Sequence, residues 1–224
     1  NDGTFAKNFS KKQITCIEPC YDVGKALKKQ GFKVYLKYFD NGLIKLLNKN
    51  PHKFDLIFSA NTITHIDKIE NVLTNVKKIL SREGVFILEE PSFLECFKKN
   101  AFDQFYNEHI YVFSTIALEN ILKLHNLQIF KIEKLNIHGG SNRYFIKKSL
   151  SKRKINNSVI FNKKKENDYG LKKIKTYRKF ASRVKLSKIT LNKILNKLKK
   201  DNKKIIGYGA TAKSTTILNY CNIG

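Results

Sequence analysis

The sequence is short of several residue types, and each shortage narrows what the chain can be. Its 224 residues include no methionine and no tryptophan, and only three prolines. Because no initiator methionine is visible, we expect a fragment of a longer protein, cropped at both ends, and a signal peptide cannot be judged. No apolar run approaches the roughly 18 residues that a membrane-spanning helix needs. We therefore expect no membrane segment.

Cysteine is scarce as well. The first two of the four cysteines, Cys16 and Cys20, have C-x3-C spacing, and no His or Cys follows at the spacing of a zinc site. Scattered thiols of this kind are typical of small buried side chains in a reducing compartment. We expect a cytoplasmic protein with no metal site in this chain.

Acidic residues are few: 18 Asp and Glu stand against 44 Lys and Arg, a formal net charge of +26. A basic surface can bind nucleic acid or phosphate-bearing ligands. Lysine is also what AT-rich coding supplies as general surface polarity. Lysine far outnumbers arginine, although arginine forks suit phosphate and base contacts better, and the aromatic residues fall in apolar runs. We therefore expect no nucleic-acid partner.

Short apolar runs alternate with helical patterns from residue 14 to about residue 148. Residues 54–60 (FDLIFSA) form a nearly continuous apolar run, as in a parallel strand covered on both faces. Residues 69–80 carry apolar side chains at the three-to-four spacing of a helix. The same reading predicts strands at 14–18, 33–38, 84–88, 129–135 and 143–148 and helices at 22–30 and 115–125. The order describes an open, doubly wound α/β sheet that ends in an antiparallel hairpin.

The composition changes near residue 150. Residues 149–168 are polar and basic and indicate a linker or an irregular segment, whereas 171–200 have the apolar stripe of a long helix. Residues 205–210 (IIGYGA) indicate a strand that runs into a loop, followed by a helix from residue 213. We predict that a second α/β domain begins here, and we divide the chain into residues 1–149 and 150–224.

Three features stand where strands of the first domain end, which is where doubly wound sheets bind ligands. The opening NDGTF would be a turn that brings Asp2 and Gly3 close to a ligand. Glu18 ends a strand, and its carboxylate can accept from both ribose hydroxyls of an adenosine. Tyr38 and Phe39 end the next strand and can stack on adenine. Because no G-x-G-x-x-G motif is present, these residues favour S-adenosylmethionine (SAM) over NAD.

Several segments resemble the sugar C-methyltransferase family. They are NDGTF, the stretch from FDLIFSANTITHID to GVFILEEPSF, the stretch from FDQFYNEHIYVF to NIHGGSNRYFI, and IIGYGATAKSTTILNYCNIG. The combination FYNEH…HGGS…GYGATAK is the most specific part, and the resemblance covers nearly the whole chain. It implies a Rossmann-like class I SAM-methyltransferase sheet followed by a C-terminal domain. The implied reaction is methyl transfer from SAM to C3 of a dTDP-4-keto-deoxysugar. The zinc-binding domain usual in this family is expected outside this chain.

The resemblance also implies catalytic residues. A proton on carbon next to a ketone leaves only with the help of a base, and histidine is a natural base near pH 7. His109 matches the family's catalytic histidine, and Tyr106 matches a tyrosine placed to bind the developing oxyanion or the sugar. Glu108 is expected to orient the site or to bind sugar hydroxyls. The family usually has histidine where this chain has Asn107, a departure that could change specificity or rate.

Further residues are assigned to the substrate and the cofactor. Asn61 and His65 match positions that line the pocket after the strand at 54–60, Asn61 on the cofactor side and His65 on the substrate side. The segment His138-Gly139-Gly140-Ser141 needs only the chemistry of a hairpin turn, but it ends close to the expected cleft. The predicted substrate contacts from this hairpin are His138, Gly139, Ser141 and Arg143. His52 and His125 are expected at the surface.

A second ligand site is predicted at Gly207, Gly209 and Lys213, between the last predicted strand and helix. Free backbone N–H groups, the helix dipole and the lysine together favour an anion. We expect this loop to bind the diphosphate of a nucleotide sugar. An ordinary strand-to-helix turn is the alternative.

Two other functions stay open. The same fold could methylate oxygen or nitrogen of another small molecule, or the chain could be a basic RNA-binding protein or RNA methyltransferase. One structural expectation also follows from the predicted order. A first strand belongs at the sheet centre, between the strands around Ile17 and Leu56, and we expect the chain without it to be poorly stable and to bind SAM weakly.

Overall fold

The structure is a computed structural model that describes residues 3–49, 53–209 and 211–224. The strands within these ranges are β1 (Thr15–Ile17), β2 (Lys33–Tyr35), β3 (Phe54–Ala60), β4 (Leu80–Pro91), β5 (Leu127–Leu135) and β6 (Ser141–Lys148). The α-helices are α1 (Tyr21–Lys29), α2 (Asn41–Asn48), α3 (Ile69–Ile79), α4 (Phe93–Lys99), α5 (Thr115–Leu124), α6 (Asn157–Tyr169), α7 (Ile174–Lys200) and α8 (Ala212–Cys221). Short 3-10 turns lie at Ala6–Asn8, Ile63–His65 and Phe102–Gln104.

The strands form a mixed α/β arrangement, as predicted. Strands β1 and β2 pair in parallel. The larger sheet has the order β3-β4-β6-β5, in which β3 and β4 are parallel and the β5–β6 hairpin is antiparallel. Because β3 and β4 run the same way, the segments that follow them leave the sheet at the same edge.

The main core packs helices against the larger sheet. Leu73 of α3, Leu88 of β4 and Leu118 of α5 are fully buried in one cluster. Burying such a side chain is worth about 1.5–3 kcal/mol, so this cluster holds the edge of the sheet in place. The described helices include none that is both long and apolar enough to cross a membrane.

The structure corrects the expectation that β3 is covered on both faces. Leu56 is 36% exposed, and β3 is the edge strand of its sheet within the described ranges. No ladder between β1 and β3 is present there, although the ring of Phe5 stacks on Phe58 with 3.7 Å between the ring centroids. The central strand expected between β1 and β3 stays a prediction.

The structure also corrects the expected linker over residues 149–168. Helix α6 occupies its second half, from the side-chain cap of Asn156 to Gly170, which has a φ of 85°. Its packing uses few apolar residues: Val159 is buried, and so is the carboxylate of Glu166. The apolar periodicity that would predict such a helix is therefore absent from the sequence.

The strand expected at residues 205–210 is wrong for the described part of that segment. Residues 203–209 have no regular secondary structure, and Ile206 and Tyr208 are exposed. A strand needs a neighbour for its backbone groups, and the described residues supply none here. The apolar stripe of α7 is likewise largely exposed: Val184 is buried, but Ile174 is not.

Candidate active site

His109 is held by hydrogen bonds at both ring nitrogens. Nδ1 lies 2.8 Å from the backbone carbonyl oxygen of Gln104, and Nε2 lies 2.9 Å from the hydroxyl of Tyr106. A carbonyl oxygen can only accept, so in the neutral ring the proton is on Nδ1 and Nε2 accepts from the tyrosine. The loop thus fixes one tautomer and aims a basic nitrogen in one direction.

The surroundings keep this ring neutral and the tyrosine protonated. Partial burial lowers the pKa of His109 below its ordinary value of 6.5, the Gln104 carbonyl opposes this, and the charges of His65 and Lys213 lower the pKa further. Burial, together with the Glu108 carboxylate, raises the pKa of Tyr106. Near pH 7 the pair is therefore an unprotonated imidazole beside an intact hydroxyl.

His65 lies beside His109, which brings together residues that are far apart in the chain. Its Nδ1 is 2.8 Å from the carbonyl oxygen of Glu108, and the two imidazole rings are 5.1 Å apart between centroids. An open hollow of about 420 Å³ adjoins His65. The residues that line it are His65, Asn107, Glu108 and Ile110.

Glu90 lies beneath this group and was not predicted as a site residue. It is fully buried near the end of β4, and its Oε1 accepts from the backbone N–H groups of Ile63 and Thr64 at 3.0 and 3.3 Å. Burial raises its pKa to about 7, against the backbone hydrogen bonds. The sequence did carry a signal for Glu90, because a carboxylate at the end of an apolar run is the same pattern that led to the prediction of Glu18.

The hairpin turn reaches His109 through one intermediary. The carbonyl oxygen of His138 accepts from the Gln104 side chain at 3.2 Å, and the Gln104 backbone holds His109. His138 and Gly139 have φ of 50° and 81° in this turn, and the carbonyl of Gly139 accepts from Lys99 at 2.5 Å. The Ser141 hydroxyl donates to the backbone of the same turn.

Arg143 is engaged elsewhere. It donates to the carboxylates of Glu89 and Glu133. In the β4–β6 ladder Arg143 is opposite Glu89, and Asn142 is opposite Glu90. Neighbouring residues of a strand point to opposite faces, so Arg143 is on the face away from Glu90. The structure does not bring it to the histidines, and its predicted substrate contact gains no support.

The residues predicted for the cofactor lie after β1, β2 and β3 or beside α1. Gly3 has a φ of 84°, and a Cβ there would come within 2.8 Å of the Leu27 side chain, so this close approach requires glycine. The Glu18 carboxylate follows β1 and accepts from the Cys20 N–H at 2.9 Å. Asp2 lies outside the described residues.

The two aromatic residues after β2 differ in exposure. Tyr38 is 74% exposed, whereas Phe39 is half-buried against two core clusters. Asp40 caps α2 by accepting from the Leu43 N–H at 2.8 Å. Asn61 follows β3 with a φ of 48°, and its backbone N–H donates to the carbonyl of Glu89 at the same edge.

The predicted anion loop is exposed, and Lys213 of the helix that follows it lies near His109. Gly207 and Gly209 have open space around them, and Gly209 has a φ of 98°. Thr211 caps α8 by accepting from the Ser214 N–H at 3.2 Å. The charge of Lys213, in the first turn of α8, is near enough to act on the pKa of His109.

Comparisons with known proteins agree with this geometry. The family model described as a methyltransferase domain matches residues 1–132, and the model of the C-methyltransferase C-terminal domain matches residues 136–224. The chain therefore belongs to the methyltransferase family.

A curated relative and a solved structure refine this placement. The chain is 28% identical over 169 residues to the C-methyltransferase NovU of Streptomyces niveus. The aligned region covers 75% of this chain and 40% of NovU. It thus spans less than half of that relative. A SAM-dependent methyltransferase structure from Anabaena variabilis aligns with a TM-score of 0.50 and 14% identity over 66% of this chain and 73% of that one, a likeness of fold. The predicted family and fold class are confirmed.

Proposed function

We propose that this chain is the catalytic part of a SAM-dependent C-methyltransferase that acts next to the ketone of a nucleotide-activated 4-keto-deoxysugar. The observation that carries the proposal is the state of His109. Its Nδ1 is tied to the Gln104 carbonyl at 2.8 Å, which leaves Nε2 as a directed base. Carbon deprotonation needs such a base more than most methyl transfers do.

The residues of the first domain fit SAM. The strand-end carboxylate of Glu18 and the exposed ring of Tyr38 suit the ribose and adenine parts of the molecule. Gly3, whose turn packs on Leu27, is assigned to the amino-acid part. The backbone of Asn61 closes the same edge. When bound, SAM supplies an electrophilic methyl group on its sulfonium.

Deprotonation is the task of His109. Nε2 takes the proton from the carbon next to the ketone, and the Gln104 carbonyl then stabilises the imidazolium through Nδ1–H. The lowered pKa of His109 keeps the base unprotonated at neutral pH.

Tyr106 acts as the oxyanion donor. Its hydroxyl donates to Nε2 in the free site, at 2.9 Å, so substrate must displace this hydrogen bond before the base can work. The displaced hydroxyl donates to the ketone oxygen, where negative charge develops as the proton leaves. The raised pKa of Tyr106 keeps that proton in place.

The sugar nucleotide is held from both domains in this proposal. We assign SAM binding to residues 1–149 and the diphosphate to the loop of Gly207, Gly209 and Lys213 in residues 150–224. Glu108 and His65 line the hollow and contact sugar hydroxyls. The hairpin of His138, Gly139 and Ser141 positions the sugar through Gln104. The reaction belongs to deoxysugar synthesis in the cytoplasm.

The test uses the full-length protein with SAM and a dTDP-4-keto-deoxysugar in heavy water. Deuterium entry next to the ketone and methyl transfer are followed in the wild type and in His109→Asn. We expect both in the wild type and neither in the variant. Methyl transfer to oxygen or nitrogen without exchange would discard the carbon mechanism. Methylation of RNA would discard the small-molecule substrate as well.

A further inference from the structure

Two loops that carry the site histidines meet above one buried carboxylate. The first loop follows β3 and contains Thr64 and His65, and the second contains Glu108 and His109. The backbone carbonyl of Thr64 accepts from the N–H groups of Ile110 and Tyr111 at 3.0 and 3.3 Å. The loops are therefore fastened to each other by backbone hydrogen bonds.

Glu90 fastens the first loop to the sheet. Its Oε1 accepts from the N–H groups of Ile63 and Thr64, at the start of the turn that ends at His65. The same Thr64 holds the second loop, and its hydroxyl also donates to the carbonyl of Tyr111. One oxygen atom is thus bonded directly to the first loop and, through Thr64, indirectly to the second.

The second oxygen of Glu90 makes this arrangement unusual. Oε2 is buried and accepts no hydrogen bond of good geometry from the described residues, although the Thr62 backbone N–H is close enough to lower the pKa of the carboxyl. A carboxylate kept only for packing would be replaced at little cost by an apolar side chain, since a buried unpaired oxygen is unfavourable. The unfavourable free energy of burying Oε2 is explained if this position requires an acceptor that reaches two N–H groups.

We propose that Glu90 is a positioning residue that sets the distance and orientation of His65 and His109 by anchoring both loops to the sheet. It does not touch substrate in this proposal and acts through Ile63 and Thr64. The activity readout rests on the proposed function, whereas the spectroscopic readout below does not.

Two variants separate the geometry of Glu90 from its charge. Glu90→Gln keeps a carbonyl oxygen at the same reach and removes the charge, whereas Glu90→Asp keeps the charge and shortens the reach by one methylene. A displacement on the order of 1 Å at a catalytic group can cost about a hundredfold in rate. We expect Glu90→Asp to lower kcat at least about tenfold with little change in the KM for SAM, and Glu90→Gln to stay within about threefold of the wild type.

Glu166 offers a matched control. It is also fully buried and accepts from two backbone N–H groups, those of Thr115 and Ile116 at 2.7 and 3.0 Å, but it serves the start of α5. We expect Glu166→Asp and Glu166→Gln to leave kcat per folded molecule within about twofold of the wild type.

The spectroscopic readout is the nitrogen-15 NMR signal of the histidine rings in full-length protein without substrate. In Glu90→Asp the ring signals of His65 and His109 should shift, and His109 should lose its single Nδ1–H tautomer; in the Glu166 variants they should not. The proposal would be overturned if Glu90→Asp had the same ring signals and kcat as the wild type. It would also be overturned if the Glu166 variants lost as much kcat as Glu90→Asp. If the wild type shows no carbon methylation, the proposed function fails and the ring signals still decide the role of Glu90.

Discussion

At the residue scale, the site depends on protonation states that the surroundings set. The roles proposed for His109 and Tyr106 need a neutral imidazole and a protonated hydroxyl, and burial shifts the pKa of each group in the required direction. The pKa of His109 is lowered and that of Tyr106 is raised. The sequence motif alone predicted the residues but not these states, because burial and neighbouring charges belong to the folded chain.

The first prediction concerns the titration of His109. Its pKa should lie below 6.5, so the unprotonated fraction, and with it kcat/KM, should be lost only as the pH falls below that value. Replacing Lys213 by Gln removes a positive charge that lowers the pKa, so the pKa should rise. Ring NMR titration measures both proteins, with Lys204→Gln as the control at an exposed lysine. An unchanged pKa in Lys213→Gln would contradict the prediction.

The second prediction concerns Glu90 and the free energy of unfolding. Its folded pKa of about 7 stands above the ordinary 4.5, so the native state holds the proton more tightly than the unfolded chain. The contribution of Glu90 to the free energy of unfolding should therefore be greatest below about pH 4.5. It should fall by about 3 kcal/mol as the pH rises from there through 7.

Glu90→Gln cannot ionise and should lack that decline. Urea unfolding at pH 5 and pH 8 measures it in the wild type and the variant. A variant that loses as much stability between these pH values as the wild type would show that the decline comes from other groups.

At the element scale, the long apolar periodicities were predicted well, whereas the short helices α2 and α4 and the polar helix α6 were not. Strand β3 was predicted with its observed bounds, and the helix predicted at residues 69–80 matches α3 to within one residue. Helix α6 was missed because its buried face uses a carboxylate. The strand at 205–210 was predicted from propensity, but a strand forms only where a neighbour accepts its hydrogen bonds.

The third prediction uses the hairpin turn between β5 and β6. Gly140 has a φ of 122°, and a Cβ there would lie 2.9 Å from the Glu95 side chain, whereas Gly139 has a φ of 81° and open space. Gly139→Ala should cost about 1 kcal/mol for its backbone strain alone, and Gly140→Ala more than that. Thermal unfolding of the two variants gives the difference. Equal losses would mean that the contact with Glu95 relaxes freely.

At the scale of the whole molecule, charge is the dominant property. A net charge of +26 surrounds a site for which we propose a dianionic substrate. Such a field raises the local concentration of an anion without any specific contact. In the proposed function, this field gives the lysine-rich chain a role in attracting its substrate.

The fourth prediction is a salt dependence of substrate capture. Raising the ionic strength from about 0.05 to about 0.5 M should lower kcat/KM several-fold and leave kcat nearly unchanged, because screening weakens long-range attraction and not the chemistry. Initial-rate kinetics with a sugar nucleotide measure this, and SAM at saturation serves as the constant partner. Steeply salt-dependent binding to RNA, with no salt effect on sugar turnover, would favour the nucleic-acid alternative.

The sequence by itself determined the α/β order, the residues at the strand ends and the FYNEH segment that contains the proposed base. These follow from local periodicity and from residue types that are neighbours in the chain. Only the tertiary structure decided how the site is built. The tautomer of His109 depends on the Gln104 carbonyl, and the partners of Arg143 depend on strand register. The anchor at Glu90 joins residues 27 positions apart. Hydrogen bonds between distant segments leave no periodic trace in a sequence, so they become visible only in the folded chain.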